Sequence, residues 1–168
     1  MNTYVNFVDK LNEIVGKAIA WLILPLVFSL GYEVVVRYIF GAPTTWAFDT
    51  SYILYGTMFM LAAPFTLSVG GHVRGDMLYR LWPVRVQAAL DLILYLAVFF
   101  PPMLAMLYIG WDYGYYSYSI GERSASSPGG PIIWPLKMVI PITAFLMLLQ
   151  GAAQVIRCVR AIRRGSWE

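Results

Sequence analysis

Charged residues are almost absent from four long stretches of the sequence, each of which is rich in Leu, Ile, Val, Phe and Met. An α-helix rises about 1.5 Å per residue, so each stretch is long enough to cross most or all of a hydrocarbon layer roughly 30 Å thick. With their flanking residues, the predicted spans are about 17–38, 48–69, 89–111 and 136–159. The predicted fold is all-α: an integral membrane four-helix bundle that forms a single domain over residues 1–168.

The residues before the first span show a second pattern. Apolar residues recur there at helical spacing, and polar residues occupy the opposite side. The apolar set is Tyr4, Phe7, Val8, Leu11, Ile14, Val15 and Ala18, and the polar set is Asn6, Asp9, Lys10, Glu13 and Lys17. This pattern predicts an amphipathic N-terminal lead-in helix that lies along the membrane surface. A helical extension of the first span into solvent fits the same pattern.

The distribution of Lys and Arg predicts the orientation. On one side of a four-span bundle lie both termini and the middle loop, with Lys10, Lys17, Arg74, Arg80, Arg85, Arg157, Arg160, Arg163 and Arg164. The other side has Arg37, Arg123 and Lys137. Because positive residues are retained on the cytoplasmic side, this bias predicts that both termini are cytoplasmic.

The composition excludes several classes of protein. Hydrophobic residues make up 60% of the chain and charged residues 12%, and the mean hydropathy is +0.65. Soluble domains have about 25% charged residues, so too little water-facing chain remains for a soluble catalytic domain. The net charge of +3 comes from residues beside the spans and does not indicate nucleic-acid binding.

Few residues could support catalysis or bind a cofactor. The single cysteine, Cys158, excludes an intrachain disulfide and a four-cysteine metal site, and the single histidine, His72, excludes a self-contained bis-histidine haem. The aspartates fall at span ends and no phosphate-binding glycine loop is present, so we expect no enzyme activity, no metal and no cofactor in this chain.

Prolines occur in every predicted span: Pro25, Pro64, Pro101, Pro102 and Pro141. Each proline removes a backbone donor, so kinks are expected in all four helices. A broken-helix ion site is one use of such kinks. Plain bundle geometry is favoured, because the sequence has no matching pair of interrupted segments and no inverted repeat.

Charge inside a membrane is unfavourable, so the few charged residues at the outer end of the first span need an explanation. Glu33 and Arg37 are spaced i,i+4 and share a helix face, and Asp49 follows across a short turn. We predict that these three form a structural or subunit-contact cluster at the outer rim. The alternative is that Glu33 is a proton- or cation-coupling carboxylate.

Two short motifs resemble those of a known transporter family. Residues 33–49, EVVVRYIFGAPTTWAFD, resemble a hallmark of the DctQ-like small membrane subunit of tripartite ATP-independent periplasmic (TRAP) transporters. The matching positions there are Tyr38, Phe40, Pro43 and Trp46. After the second span, Gly71, His72, Arg74 and Asp76 match a Gly-His-(Ile/Val)-Arg-x-Asp element. One departure is Asp49, where the family more often has Glu.

The resemblance implies a function. It implies a small, non-catalytic subunit of a sodium-driven importer of organic acids or similar solutes, in the bacterial inner membrane. The implied partners are a large many-span transport subunit, in which the sodium would bind, and a periplasmic solute-binding protein. Small residues such as Gly56, Ala62 and Ala63 are expected to pack on the large subunit. The alternative is a self-sufficient homodimeric transporter that uses Glu33 as its coupling carboxylate.

Overall fold

The computed structural model describes residues 2–71, 79, 81–127 and 130–167. Its α-helices are α1 (Asn2–Ala20), α2 (Ile23–Ile39), α3 (Trp46–Ser68), α4 (Val84–Leu94), α5 (Phe100–Ser119) and α6 (Trp134–Arg164). A π-helical segment, Tyr95–Phe99, joins α4 to α5. The predicted all-helical fold is confirmed for these residues.

Three helical stretches among the described residues are long and apolar enough to cross a membrane. They are Thr3–Ile39, Val84–Ser119 and Trp134–Arg164, with 37, 36 and 31 residues. Helix α3 has 23 residues, about 34 Å, but its apolar character is diluted by Asp49 and by several Tyr, Thr and Ser residues. The count of four spans and the cytoplasmic placement of both termini therefore remain predictions.

Helix α1 corresponds to the predicted lead-in and packs on the bundle with one face. Val5 and Val8 form a buried cluster with Ala153 of α6. At Gly16 the backbone approaches α3 so closely that an added Cβ would lie 2.7 Å from the Cβ of Phe65. The opposite face keeps exposed apolar residues, which suits a helix at a lipid boundary.

Helix α6 is the centre of the bundle. It contacts α1, α3, α4 and α5, and 44% of its most apolar stretch is buried inside the protein. The corresponding shares are 11% for Thr3–Ile39 and 0% for Val84–Ser119. The other long apolar helices therefore present most of their surface to lipid or to another protein.

Glycines on α5 allow its close packing on α6. A Cβ at Gly110 would lie 2.9 Å from Cγ2 of Ile140, and one at Gly114 would lie 2.7 Å from Sδ of Met138. These two glycines form a Gly-x-x-x-Gly pattern, which lets membrane helices approach closely. A Cβ on Gly56 of α3 would likewise lie 3.3 Å from Cδ1 of Leu136 of α6, and Gly56 is half-buried, so part of its surface is covered within this chain. The packing of Gly56 on the large subunit stays a prediction.

The π-helical segment lies next to the proline pair of the third span. Pro101 and Pro102 have no N–H, so the carbonyls of Ala97 and Val98 lose their α-helical donors. A wider turn accommodates this loss, and the N–H of Phe100 reaches the carbonyl of Tyr95 instead. The helix then continues to Ser119, well past the predicted span end at 111 and through residues expected to belong to the outer loop.

Candidate functional site

The outer ends of α2 and α3 meet around the carboxylate of Glu33. Arg37 donates to Oε1 of Glu33 through Nε at 2.8 Å and Nη2 at 2.6 Å. The other oxygen, Oε2, accepts from the backbone N–H of Thr44 at 3.1 Å and from the Thr44 hydroxyl. The Glu33 side chain is only 13% exposed. Helix spacing brings Glu33 and Arg37 together, and the turn supplies Thr44, so this carboxylate holds the turn onto α2.

Asp49 has different partners from those expected. It is 2% exposed and accepts hydrogen bonds from the Ser124 hydroxyl, at 2.5 Å, and from the Ser127 hydroxyl. Within the described ranges, Asp49 and Arg37 form no ion pair. The predicted three-member cluster is corrected to a Glu33–Arg37 pair and a separate Asp49 site. The reason is that Asp49, at the start of α3, lies under the loop between α5 and α6.

That loop, here called the outer loop (residues 120–133), has its own backbone hydrogen bonds. Arg123 and Ile132 form an isolated antiparallel bridge. The N–H of Ser124 donates to the carbonyl of Pro131 at 2.9 Å, and the N–H of Ile133 donates to the carbonyl of Glu122 at 3.0 Å. The described part of the loop is therefore a folded segment, and Ser124 and Ser127 are positioned over Asp49.

A second charge pair joins the outer loop to α6. Nζ of Lys137 lies 2.5 Å from a carboxylate oxygen of Glu122 and 3.9 Å from the centroid of the Tyr113 ring. The hydrogen bond from Lys137 lowers the pKa of Glu122 below its usual value. Both side chains are therefore charged at neutral pH, and the pair fixes the outer loop against the bundle.

Beneath the outer loop lies a cavity of about 520 Å³ between α3, α5 and α6. Its lining includes Tyr52, Tyr113, Leu136, Lys137 and Ser124. The ammonium of Lys137 is already held by Glu122 and Tyr113, and Nη1 of Arg123, which also lines the cavity, donates to the carbonyl of Gly130 at 3.3 Å.

The remaining residues of the first motif surround the turn between α2 and α3. Trp46 packs on Tyr32 with a centroid distance of 5.6 Å, which closes the turn from both helices. Tyr38 and Phe40 are 79% and 71% exposed, and Pro43 is exposed as well. The motif therefore has an inner part that holds the turn and an outer part that is free to contact lipid or a partner.

The second motif is described only at its beginning. The N–H of Gly71 donates to the carbonyl of Thr66 at 2.9 Å, and a Cβ on Gly71 would lie 3.1 Å from Cγ2 of Thr66. His72, Arg74 and Asp76 lie outside the described residues.

A buried polar network joins α1 to α6. Nδ2 of Asn12 donates to Oε1 of Gln150 at 2.6 Å, and Nε2 of Gln150 donates to Oδ1 of Asp9 at 2.9 Å. Arg157 pairs with the other oxygen of Asp9. On α6, Gln154 donates to the carbonyl of Leu67 at 3.0 Å. This network attaches the lead-in helix to the centre of the bundle.

The sequence-based prediction missed this network. A search for charges inside the spans passes over Asn and Gln, which are neutral. The available signal is the spacing of Gln150, Gln154 and Arg157, which recur at intervals of four and three and so share one face of α6.

The carboxylates of these sites already have partners within the chain. Glu33, Asp49 and Glu122 are each held by cations or hydroxyls, as described above. Among the described residues, no group of three or more His, Cys, Asp or Glu side chains is arranged to hold a metal ion. The arrangement holds turns and loops in place.

Comparison with known proteins identifies the family. Residues 26–161, most of the chain, match the family model described as Tripartite ATP-independent periplasmic transporters, DctQ component. The matched region includes both motifs. Comparison with curated proteins gives no match. Because the match covers most of the chain, this transmembrane transport protein belongs to the DctQ family, the small membrane subunits of TRAP transporters.

Proposed function

We propose that the chain braces the large transport subunit of a sodium-driven TRAP importer of organic acids or similar solutes. In this proposal the chain spans the bacterial inner membrane four times and has no catalytic role and no cofactor of its own. Sodium binds in the large subunit. The outer side of the chain helps to present a docking surface to the periplasmic binding protein.

One face of α2 carries the proposal. A Cβ at Gly31 would meet no heavy atom within 4 Å in the described part of the chain. Around it on the helix lie Val27, Val34 and Val35, which are 60%, 55% and 45% exposed. A glycine flanked by β-branched side chains is typical of a membrane helix that receives a second helix closely. We assign this face, called the Gly31 face, to the large subunit.

The outer rim supports the docking role. Tyr38 and Phe40 protrude at the end of α2, and aromatic side chains are common anchors at protein interfaces. The outer loop, which covers the start of α3, is held by Asp49 and by the Glu122–Lys137 pair. A surface fixed in this way loses little conformational freedom when the binding protein docks.

The self-sufficient transporter is less well supported. A coupling carboxylate has to exchange its proton or cation during each cycle. Glu33 already accepts hydrogen bonds on both oxygens, from Arg37 and from Thr44. These contacts favour a structural role for Glu33.

Co-purification tests the Gly31 face. The chain is produced together with the large transport subunit (permease) of its system, and the tagged chain is captured in neutral detergent. Gly31→Leu adds bulk where the fold has room, so we expect the variant to fold and to capture several-fold less permease. Ala105→Leu adds similar bulk to an exposed position on α5 and should capture as much permease as the wild type. Equal capture by both variants would contradict the assignment of the interface.

Reconstitution tests the bracing role. The chain alone, in liposomes with an inward sodium gradient, is expected to show no solute uptake, whereas the complex with the permease and the binding protein should show it. Sodium-dependent uptake by the chain alone would overturn the proposal. If uptake by the chain alone disappears in Glu33→Gln, the homodimeric transporter is the correct function.

A further inference from the structure

A small polar cavity lies between the beginning of α1 and the end of α6. Its volume is about 220 Å³, and its lining includes Asn6, Arg157, Arg160, Ser166 and Trp167. The chain closes it by turning back after α6: Gly165 adopts a left-handed conformation with φ of 75°, and the indole of Trp167 donates to Oε1 of Gln87 at 3.1 Å. The turn after α6 and this hydrogen bond therefore hold the cavity in place as part of the fold.

The two arginines in this cavity differ in their partners. Arg157 is neutralised by Asp9. Arg160 forms no ion pair or hydrogen bond within the described ranges, and its Nη2 atom is buried without an acceptor. A buried donor on a charged group is expensive when it is left unpaired. The cavity beside it is the place where an acceptor can enter.

Further positive charge lies near the cavity. Nε of Arg85 lies 3.5 Å from the position of a Cβ on Gly165, the residue before Ser166 of the lining. Arg85 and Arg160, the latter with a buried and unpaired Nη2 atom, make this region positively charged, which favours an anion over a neutral ligand.

We propose that this cavity binds a phosphate group, supplied either by the headgroup of an anionic phospholipid or by free phosphate. The planar guanidinium of Arg160 matches two phosphate oxygens at once, which a point charge does not. Asn6 and Ser166 contribute further donor groups to the lining. The cavity also lies at the end of a membrane-crossing helix beside a tryptophan, which is the usual depth of lipid headgroups.

The test uses the full chain, delipidated in a neutral detergent. It is titrated separately with dihexanoyl phosphatidylglycerol, with dihexanoyl phosphatidylcholine and with inorganic phosphate. The readouts are the shift in thermal unfolding midpoint and the stoichiometry by native mass spectrometry. We expect one saturable phosphatidylglycerol per chain, and about tenfold weaker binding in Arg160→Gln. The matched control is Arg163→Gln, which removes the same charge from an exposed side chain and should bind as the wild type does.

Comparison of the three titrations identifies the source of the phosphate. A response to phosphatidylglycerol alone assigns an anionic headgroup, and an equal response to inorganic phosphate assigns the free anion. Equal losses in the Arg160 and Arg163 variants would show a diffuse charge effect and overturn the site, as would the absence of saturable binding to the wild type. If Arg160→Gln does not fold, Arg160→Lys replaces it, because lysine keeps the positive charge but lacks the paired N–H donors of the guanidinium. Undiminished phosphatidylglycerol binding by Arg160→Lys would overturn the bidentate site.

Discussion

Asn12 of α1 and Gln150 of α6 join side-chain amides across 138 positions of sequence, with a donor–acceptor distance of 2.6 Å. The two residues are 1% and 0% exposed. Water cannot take over a partner that is lost at such a position. This hydrogen bond therefore does more than add to packing: it sets where the lead-in helix lies on the bundle.

Replacing Gln150 by Leu is expected to leave Asn12 and Asp9 without their amide partner. Loss of a buried partner costs about 1–3 kcal/mol, so the thermal unfolding midpoint in detergent should fall. The double variant Asn12→Leu with Gln150→Leu removes both amides and should recover part of that loss. A double variant as unstable as the sum of the two single variants would show that the hydrogen bond contributes nothing.

The network also shows what the sequence could and could not predict. Long apolar stretches predicted the helices, because burial in lipid depends on composition and length. The spacing of Glu33 and Arg37 likewise predicted their pairing, because i,i+4 is a local relationship. The partners of Gln150 and Asp49 are distant in sequence, and which neutral side chains meet depends on how the helices cross. No local pattern contains that information.

Asp49→Asn is expected to loosen the outer loop. The carboxylate accepts two hydroxyl hydrogen bonds, from Ser124 and Ser127, whereas an amide offers only one acceptor oxygen. Hydrogen bonds to a charged group contribute about 1.5–3 kcal/mol, so local opening should increase about tenfold or more. The hydrogen-exchange rates of the backbone amides in residues 122–127 measure this local opening of the outer loop.

Arg37→Ala is the contrasting variant. Arg37 is 52% exposed, and exposed ion pairs contribute about 0–1 kcal/mol. Since Arg37 does not pair with Asp49, exchange in the outer loop should remain as in the wild type, and Glu33 keeps its bonds from Thr44. Arg37 follows Val34 of the Gly31 face by three residues, and its loss leaves Glu33 without a cation there, so we expect weaker assembly with the large subunit and no change in substrate preference. Faster exchange in the outer loop would instead mean that Arg37 and Asp49 are coupled.

Acidification is expected to weaken the attachment of the outer loop to α6. The hydrogen bond from Lys137 lowers the folded-state pKa of Glu122 below its ordinary value of 4.5. A lowered pKa means that the ionised form stabilises the fold, fully above about pH 4.5 and progressively less as the pH falls through the folded-state value. The difference in unfolding midpoint between the wild type and Glu122→Gln should therefore shrink between pH 6 and pH 3. A difference that is constant with pH would exclude this contribution.

The packing of α5 on α6 depends on Gly110, and alanine at that position tests the dependence. The added Cβ would lie 2.9 Å from Cγ2 of Ile140 and 3.3 Å from Cδ of Pro141. The ring of Pro141 includes backbone atoms of α6, so its Cδ cannot rotate away from the added Cβ. The two helices must therefore separate. Overpacking of this kind costs about 1–3 kcal/mol, and the unfolding midpoint in detergent should fall accordingly.

Gly31→Ala is the matched control for that substitution. Both changes replace a helical glycine by alanine, which favours the helix by about 1 kcal/mol. Gly31 has open space around its Cβ position, so its variant should be as stable as the wild type or more stable. The two variants thus differ only in whether a neighbour is present. Equal stability of both would mean that α5 and α6 do not approach as closely as the positions of Gly110 and Ile140 require.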